Sequence, residues 1–209
     1  MELIKNLQWR YATKKFDTTK KVSKNDLNKL QEAVQLSVSS YGLQLYKVLI
    51  IENLEIRAQL KPVSWNQSQI TDASHLFVFC NYTDATPEAI DAFIKQTAET
   101  RNLDLEQLNG YGDFIKSKLA EKSDEEKTSW LKSQTYLALG NLLNACAELK
   151  IDACPMEGFE PEAYNEILGL DKQGLSAAVI APIGYRHLED HTIGQQKVRK
   201  SMEVLFDTI

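Results

Sequence analysis

The stretch from Ser123 to Lys150 contains no proline and a single glycine, Gly140, and this restricts the fold more than any other feature of the chain. Trp130, Leu131, Leu137, Leu142, Leu143, Cys146 and Leu149 recur along it at helical spacing, which predicts one long helix. Apolar side chains surround much of its second half. Such a helix must be covered on more than one face, so it lies either in the centre of a monomer's core or at a subunit interface. Spacing alone leaves both open.

The covering elements can be read around it. Leu3, Ile4, Leu7 and Tyr11 form one face of a short N-terminal helix, and Ser23 with Asp26 marks the start of a second that carries Leu27, Leu30 and Val34. Tyr46 to Ile51, His75 to Tyr82 and Leu175 to Ile183 are aliphatic runs of strand length, and the first two are too continuous for exposed edge strands. Short helices are predicted at Asn53 to Leu60 and near Pro161 to Leu168, and Thr86 followed by Pro87 opens a helix presenting Ile90, Phe93 and Ile94. Between Asn102 and Lys122 the Gly110/Gly112 pair is expected to interrupt helix. Strands separated by helices point to helices packed around one sheet in a single domain spanning 1–209.

Composition narrows the function classes. The chain has 209 residues, 43% hydrophobic and 25% charged, enough to bury a core without disulfides or a structural metal. A formal charge of -5 argues against a dedicated nucleic-acid binder. That total hides an asymmetry: residues 1–30 hold eight Lys/Arg against three Asp/Glu, 8 - 3 = +5, so the remainder sums to -10. No secretory signal or membrane-spanning run is read, and Cys80, Cys146 and Cys154 form no paired framework, so a reduced, cytoplasmic protein is expected.

Several clusters could carry chemistry. Arg10, Lys14 and Lys15 lie among Trp9, Tyr11 and Phe16, a pattern that can clamp a phosphate or form a solvated basic face. Lys197 and Arg199 point to one side of extended backbone and could reach one anion, or simply solubilise a tail. Ser37 to Ser40 offers hydroxyls and turn amides, and Gly158 permits close backbone approach to a flat ligand or makes a structural turn. His187 and His191 lack a third metal ligand, the cysteines lack a nearby histidine, and neither common glycine-rich nucleotide cradle occurs.

In order along the chain, Arg10-Tyr11-Ala12-Thr13-Lys14-Lys15-Phe16-Asp17, Ser37-Val38-Ser39-Ser40 with Gln44, Trp65-Asn66, and Asp72-Ala73-Ser74-His75 resemble the FMN-dependent nitroreductase family. Tyr136 to Asn141, Pro155-Met156-Glu157-Gly158-Phe159, Gly169-Leu170 and Lys197-Val198-Arg199 extend the resemblance, specifically to the oxygen-insensitive NAD(P)H nitroreductase and flavin reductase branch. The resemblance implies an α+β fold, a nitroreductase-like mixed sheet sandwiched by helices. It also implies a homodimer with the long helix at the interface, the C-terminal tail extended over the partner, and two FMN molecules between subunits.

By the same resemblance Arg10, Lys197 and Arg199 hold the FMN phosphate beside Tyr11 and Ala12. Lys14, Asn66 and Gln69 lie toward the pyrimidine edge of the ring. Ser39 from one subunit, with Ser40 and Gly42 from the other, lines the ribityl and ring region, and the Glu157 and Gly158 backbone meets N5. Tyr41, Trp65 and Phe114 are expected in the acceptor pocket, core packing being the alternative for Trp65 and Phe114. No catalytic acid, base or metal is assigned, because the chemistry falls to the flavin. The implied activity is a ping-pong, two-electron reduction of nitroaromatics or quinones by NAD(P)H, with flavin storage, ene reduction or flavin reduction as alternatives. Ala12, Val38, Gly42, Leu45-Tyr46 and Gln69 depart from the branch pattern, which often has serine, proline, asparagine, proline-tryptophan and lysine there.

Overall fold

The computed structural model describes all 209 residues. Its helices are α1 (Glu2–Trp9), α2 (Lys24–Gln35), α3 (Leu54–Leu60), α4 (Gln69–Asp72), α5 (Pro87–Arg101), α6 (Glu106–Ala120), α7 (Asp124–Glu148), α8 (Pro161–Leu168) and α9 (Met202–Leu205). The strands are β1 (Tyr46–Ile51), β2 (His75–Tyr82), β3 (Asp152–Ala153) and β4 (Leu175–Gly184), in sheet order β1-β2-β4-β3. All three ladders run antiparallel, and parallel pairing is confined to an isolated bridge between Ala12 and Ala153.

Strand side chains alternate between faces, and here both faces are covered. Phe77 and Phe79 of β2 pack with Val179 and Ala181 of β4 against Ala138, Leu142 and Cys146 of α7 and Leu30 and Val34 of α2. Leu76, Val78 and Cys80 point the other way, toward Leu60, Ile70 and Tyr164 of α3, α4 and α8. Two layers of helices therefore enclose the central strands, which explains their unbroken apolar sequence.

Two expectations need correction. β1 is an edge strand despite its apolar run, because edge position concerns the backbone hydrogen-bonding direction whereas apolar composition reports on the two side-chain faces. α6 runs continuously through Gly110 and Gly112. At Gly112 a Cβ would lie 3.1 Å from Ile94 Cγ1, so the glycine lets α5 and α6 approach closely, offsetting its roughly 1 kcal/mol propensity penalty.

α7 opens with a capping box in which Ser123 and Glu126 satisfy each other's backbone amides. It packs on α1, α2 and β2 while leaving Leu137 46% exposed, and Leu36 and Val38 are also exposed. No helix is long and apolar enough to cross a membrane.

Arg57 of α3 is fully buried and donates to the carbonyls of Ile70 (2.6 Å), Ala73 (2.6 Å) and Ser74 (3.2 Å). Its guanidinium thus serves carbonyls at and just beyond the C-terminal end of α4, where the one backbone donor, the Ala73 N–H, goes to the Gln69 carbonyl.

Candidate functional site

α1 ends at Arg10, whose N–H still bonds the Asn6 carbonyl while its backbone turns extended. The segment beyond is held by interactions that the sequence did not advertise. Arg186, just after β4, is bound to buried Asp152 through Nε (2.8 Å) and its own backbone N–H (2.8 Å). Its guanidinium lies between the rings of Trp9 and Tyr11, at 4.3 and 4.5 Å from their centroids. Asp190 accepts from the amides of Lys14 (2.8 Å) and Lys15 (3.2 Å), the Tyr11 hydroxyl (3.2 Å) and Thr192. Burial pulls the Asp190 carboxyl upward, but these hydrogen bonds, Thr192's foremost, outweigh it and hold it at about 2.

With its aromatics and amides engaged, the segment leaves Arg10 free. The half-buried guanidinium has no side-chain hydrogen bond or ion pair, and burial followed by the nearby Arg199 charge lowers its pKa. Lys197 is lowered in the same way, by burial and then by Arg10 and Arg199, and its Nζ bonds the Arg10 carbonyl. Arg10, Tyr11 and Ala12 line a concavity of about 300 Å³ with Lys197, Val198 and Arg199. Cations clustered without an acid between them make an anion site.

A continuous strip leads away from it. The Ala12–Ala153 bridge lays the basic segment beside Ala153, Cys154 N–H bonds the Pro182 carbonyl, and Met156 N–H bonds that of Ile180. Lys14 Nζ lies 3.9 Å from Cys154 Sγ, and the Gln69 side chain also meets this thiol. Burial pushes the Cys154 thiol up, with Lys14 and Arg10 opposing, so it stays a neutral packing group.

At the far end of the strip the backbone N–H groups of Glu157 and Gly158 find no acceptor in the protein. Gly158 is pressed against Trp65, where a Cβ would lie 2.8 Å from the ring, and its carbonyl accepts from Gln67 Nε2 at 3.0 Å. Trp65 is 71% exposed, and it and Asn66 adopt positive φ, turning this loop sharply before α4. Ala153 to Glu157 spans about 13 Å at strand rise. The cations and the free amides therefore suit the two ends of one elongated ligand.

The remaining expected residues gather elsewhere. Ser39 Oγ accepts from Gln44 N–H at 2.9 Å, Ser40 N–H donates to Gln134 Oε1 of α7 at 2.8 Å, and Tyr41 and Gly42 take positive φ. Tyr41 sits edge-on to Phe114 of α6, with centroids 6.5 Å apart. Tyr41 and Gly42 line a separate hollow of about 650 Å³ against α5, sharing no residue with the Arg10 concavity. One chain thus holds the expected residues in two separate groups. Asp152, Arg186, Asp190 and Gln67 escaped sequence reading because their roles arise from contacts across 34 to 179 positions, with no local spacing to betray them.

The nitroreductase family profile matches residues 7–185. The major NAD(P)H-flavin oxidoreductase of Aliivibrio fischeri is 34% identical over 208 residues, covering 96% of this chain and 95% of that protein. A Bacillus subtilis structure named as a nitroreductase superposes with a TM-score of 0.89 at 19% identity, covering 100% of this chain and 99% of the other. Another, from Exiguobacterium sibiricum and solved in complex with FMN, gives 0.84 at 20% identity, covering 100% and 98%. The α+β fold, the match across residues 7–185 and the identity with the flavin oxidoreductase agree: the chain belongs to the nitroreductase family.

Proposed function

We propose that the protein reduces nitroaromatics, quinones or related electron-poor acceptors with electrons from NAD(P)H, working as a homodimer with one FMN per subunit. As a nitroreductase-family member it is an oxidoreductase that uses FMN and NAD(P)H. The carrying observation is the unpaired, half-buried Arg10 converging with Lys197 and Arg199 at one end of a strip whose other end offers two free amides. FMN has a matching outline, a phosphate at one end and a flat ring with acceptor atoms at the other. A protein selecting a neutral ligand would have little use for three unpaired cations.

Bound FMN supplies two-electron transfer between the nicotinamide and the acceptor. Arg10, Lys197 and Arg199 hold its phosphate, with Tyr11 and Ala12 beside them. Lys14, Asn66 and Gln69 face the pyrimidine edge, where a cation and amide donors favour negative charge. The Glu157 and Gly158 amides donate to the ring edge near N5. The exposed Trp65 ring walls the acceptor space, where planar acceptors take their turn with the nicotinamide.

When two copies pair, Ser39 of one subunit lines the ribityl and ring region with Ser40 and Gly42 of the other, and Tyr41 and Phe114 join the acceptor pocket. The exposed apolar positions Leu36, Val38 and Leu137, with Val198, Val204, Leu205 and Phe206 of the tail, are what pairing would cover. Three buried, unpaired cysteines suit a reducing compartment such as the cytoplasm. The visible spectrum of the purified protein tests this reading: flavin bands near one per subunit, bleached by NADH or NADPH, are expected. Absence of flavin uptake refutes it, and flavin that nicotinamide does not bleach indicates storage instead.

A further inference from the structure

The turn that carries the two free amides is fixed from two sides. On one, Gly158 is held against Trp65 and bonded to Gln67. On the other, Tyr136 projects from α7 and its hydroxyl donates to Glu157 Oε1 at 2.5 Å. That is the only side-chain hydrogen bond of Glu157, and no cation pairs with its exposed carboxylate. The carboxylate belongs to the residue whose own N–H is free, so a released side chain could swing its negative charge back toward whatever those amides contact. The amides favour electron density on their ligand, and a loose carboxylate there would oppose it.

We infer that Tyr136 is a positioning residue: by tying the Glu157 carboxylate to α7 it keeps that charge away from the group bound at the Glu157 and Gly158 amides, and thereby raises the reduction potential of the flavin. This rests on the FMN reading above. Burial and then the Glu157 hydrogen bond push the Tyr136 phenol up to about 12, so the hydroxyl remains a donor throughout the neutral range.

The test is anaerobic redox titration at pH 7 of flavin-loaded wild type, Tyr136→Phe, Glu157→Gln and the double variant, with melting temperatures recorded alongside. Tyr136→Phe is expected to disfavour the reduced flavin about tenfold, a drop of about 30 mV for a two-electron couple. Adding Glu157→Gln should abolish the drop, because a neutral amide carries no charge to release. A Tyr136→Phe potential equal to wild type, with or without a lower melting temperature, would overturn the inference. So would a drop that persists in the double variant. Wild type that binds no flavin would overturn the parent reading as well, whereas flavin-loaded proteins with four equal potentials refute the Tyr136 role alone.

Discussion

Replacing Arg10 by methionine should separate the cost of the cation cluster from its purpose. The guanidinium has no side-chain partner within the protein, and burial and Arg199 both disfavour its charge. Removing it therefore relieves repulsion in the ligand-free protein, and the Lys197 bond to the Arg10 carbonyl survives because it uses the main chain. With FMN present the balance reverses. A hydrogen bond to a charged group contributes about 1.5 to 3 kcal/mol, so loss of one phosphate clamp is about 2 kcal/mol at this half-buried position. That corresponds to roughly 30-fold weaker binding.

Fluorescence titration of the deflavinated proteins with FMN reads this directly, and riboflavin, lacking the phosphate, is the control. Arg10→Met should bind riboflavin like wild type, bind FMN roughly 30-fold more weakly, and melt no lower when ligand-free. An unchanged FMN affinity, or a parallel loss for riboflavin, would refute the phosphate assignment.

Other variants test other parts of the site and its support. Gln69 is 5% exposed beside the Cys154 thiol, and Gln69→Lys should raise the flavin midpoint potential above wild type by adding a cation at the pyrimidine edge, read by anaerobic redox titration. Phe114→Ala should alter acceptor preference in steady-state assays while flavin content stays constant; parallel losses would mean that Phe114 serves packing with Tyr41. Arg57→Met leaves three buried carbonyls without donors and should destabilise by about 3 to 5 kcal/mol, lowering the melting temperature by about 10 °C in calorimetry. The Asp190 carboxyl is held at about 2, below the unfolded value near 3.9, so its stabilisation is complete above pH ~4 and is lost as pH falls toward 2. Asp190→Asn should flatten that part of the stability profile in urea titrations.

Much of the architecture was legible because its signals are local. Ser23 and Thr86 each cap the helix they announce, since a cap is satisfied within three or four residues, and the long proline-free stretch became α7. The aliphatic runs became β1, β2 and β4 for the same reason. Two readings failed where tertiary context overrode a local rule. The glycines of α6 stay helical, with Gly112 packed closely on Ile94, and the apolar run of β1 gave no sign of which strand edge would be left unpaired.

Taken without its structure, the chain determined most of its helices and the strands β1, β2 and β4, its basic N-terminal segment and the resemblance that names a flavin site. Only the tertiary structure decided that Arg10 and Lys197, 187 positions apart, meet in one concavity, and that Asp190 and Arg186 immobilise the segment between them. It alone left the Glu157 and Gly158 amides free, and it set Tyr41 and Gly42 in a hollow that shares no residue with the Arg10 concavity. The division has a physical cause. Propensity and capping act over a few residues, whereas a ligand site is a set of unsatisfied groups, and which groups remain unsatisfied is known only once every other partner has been placed.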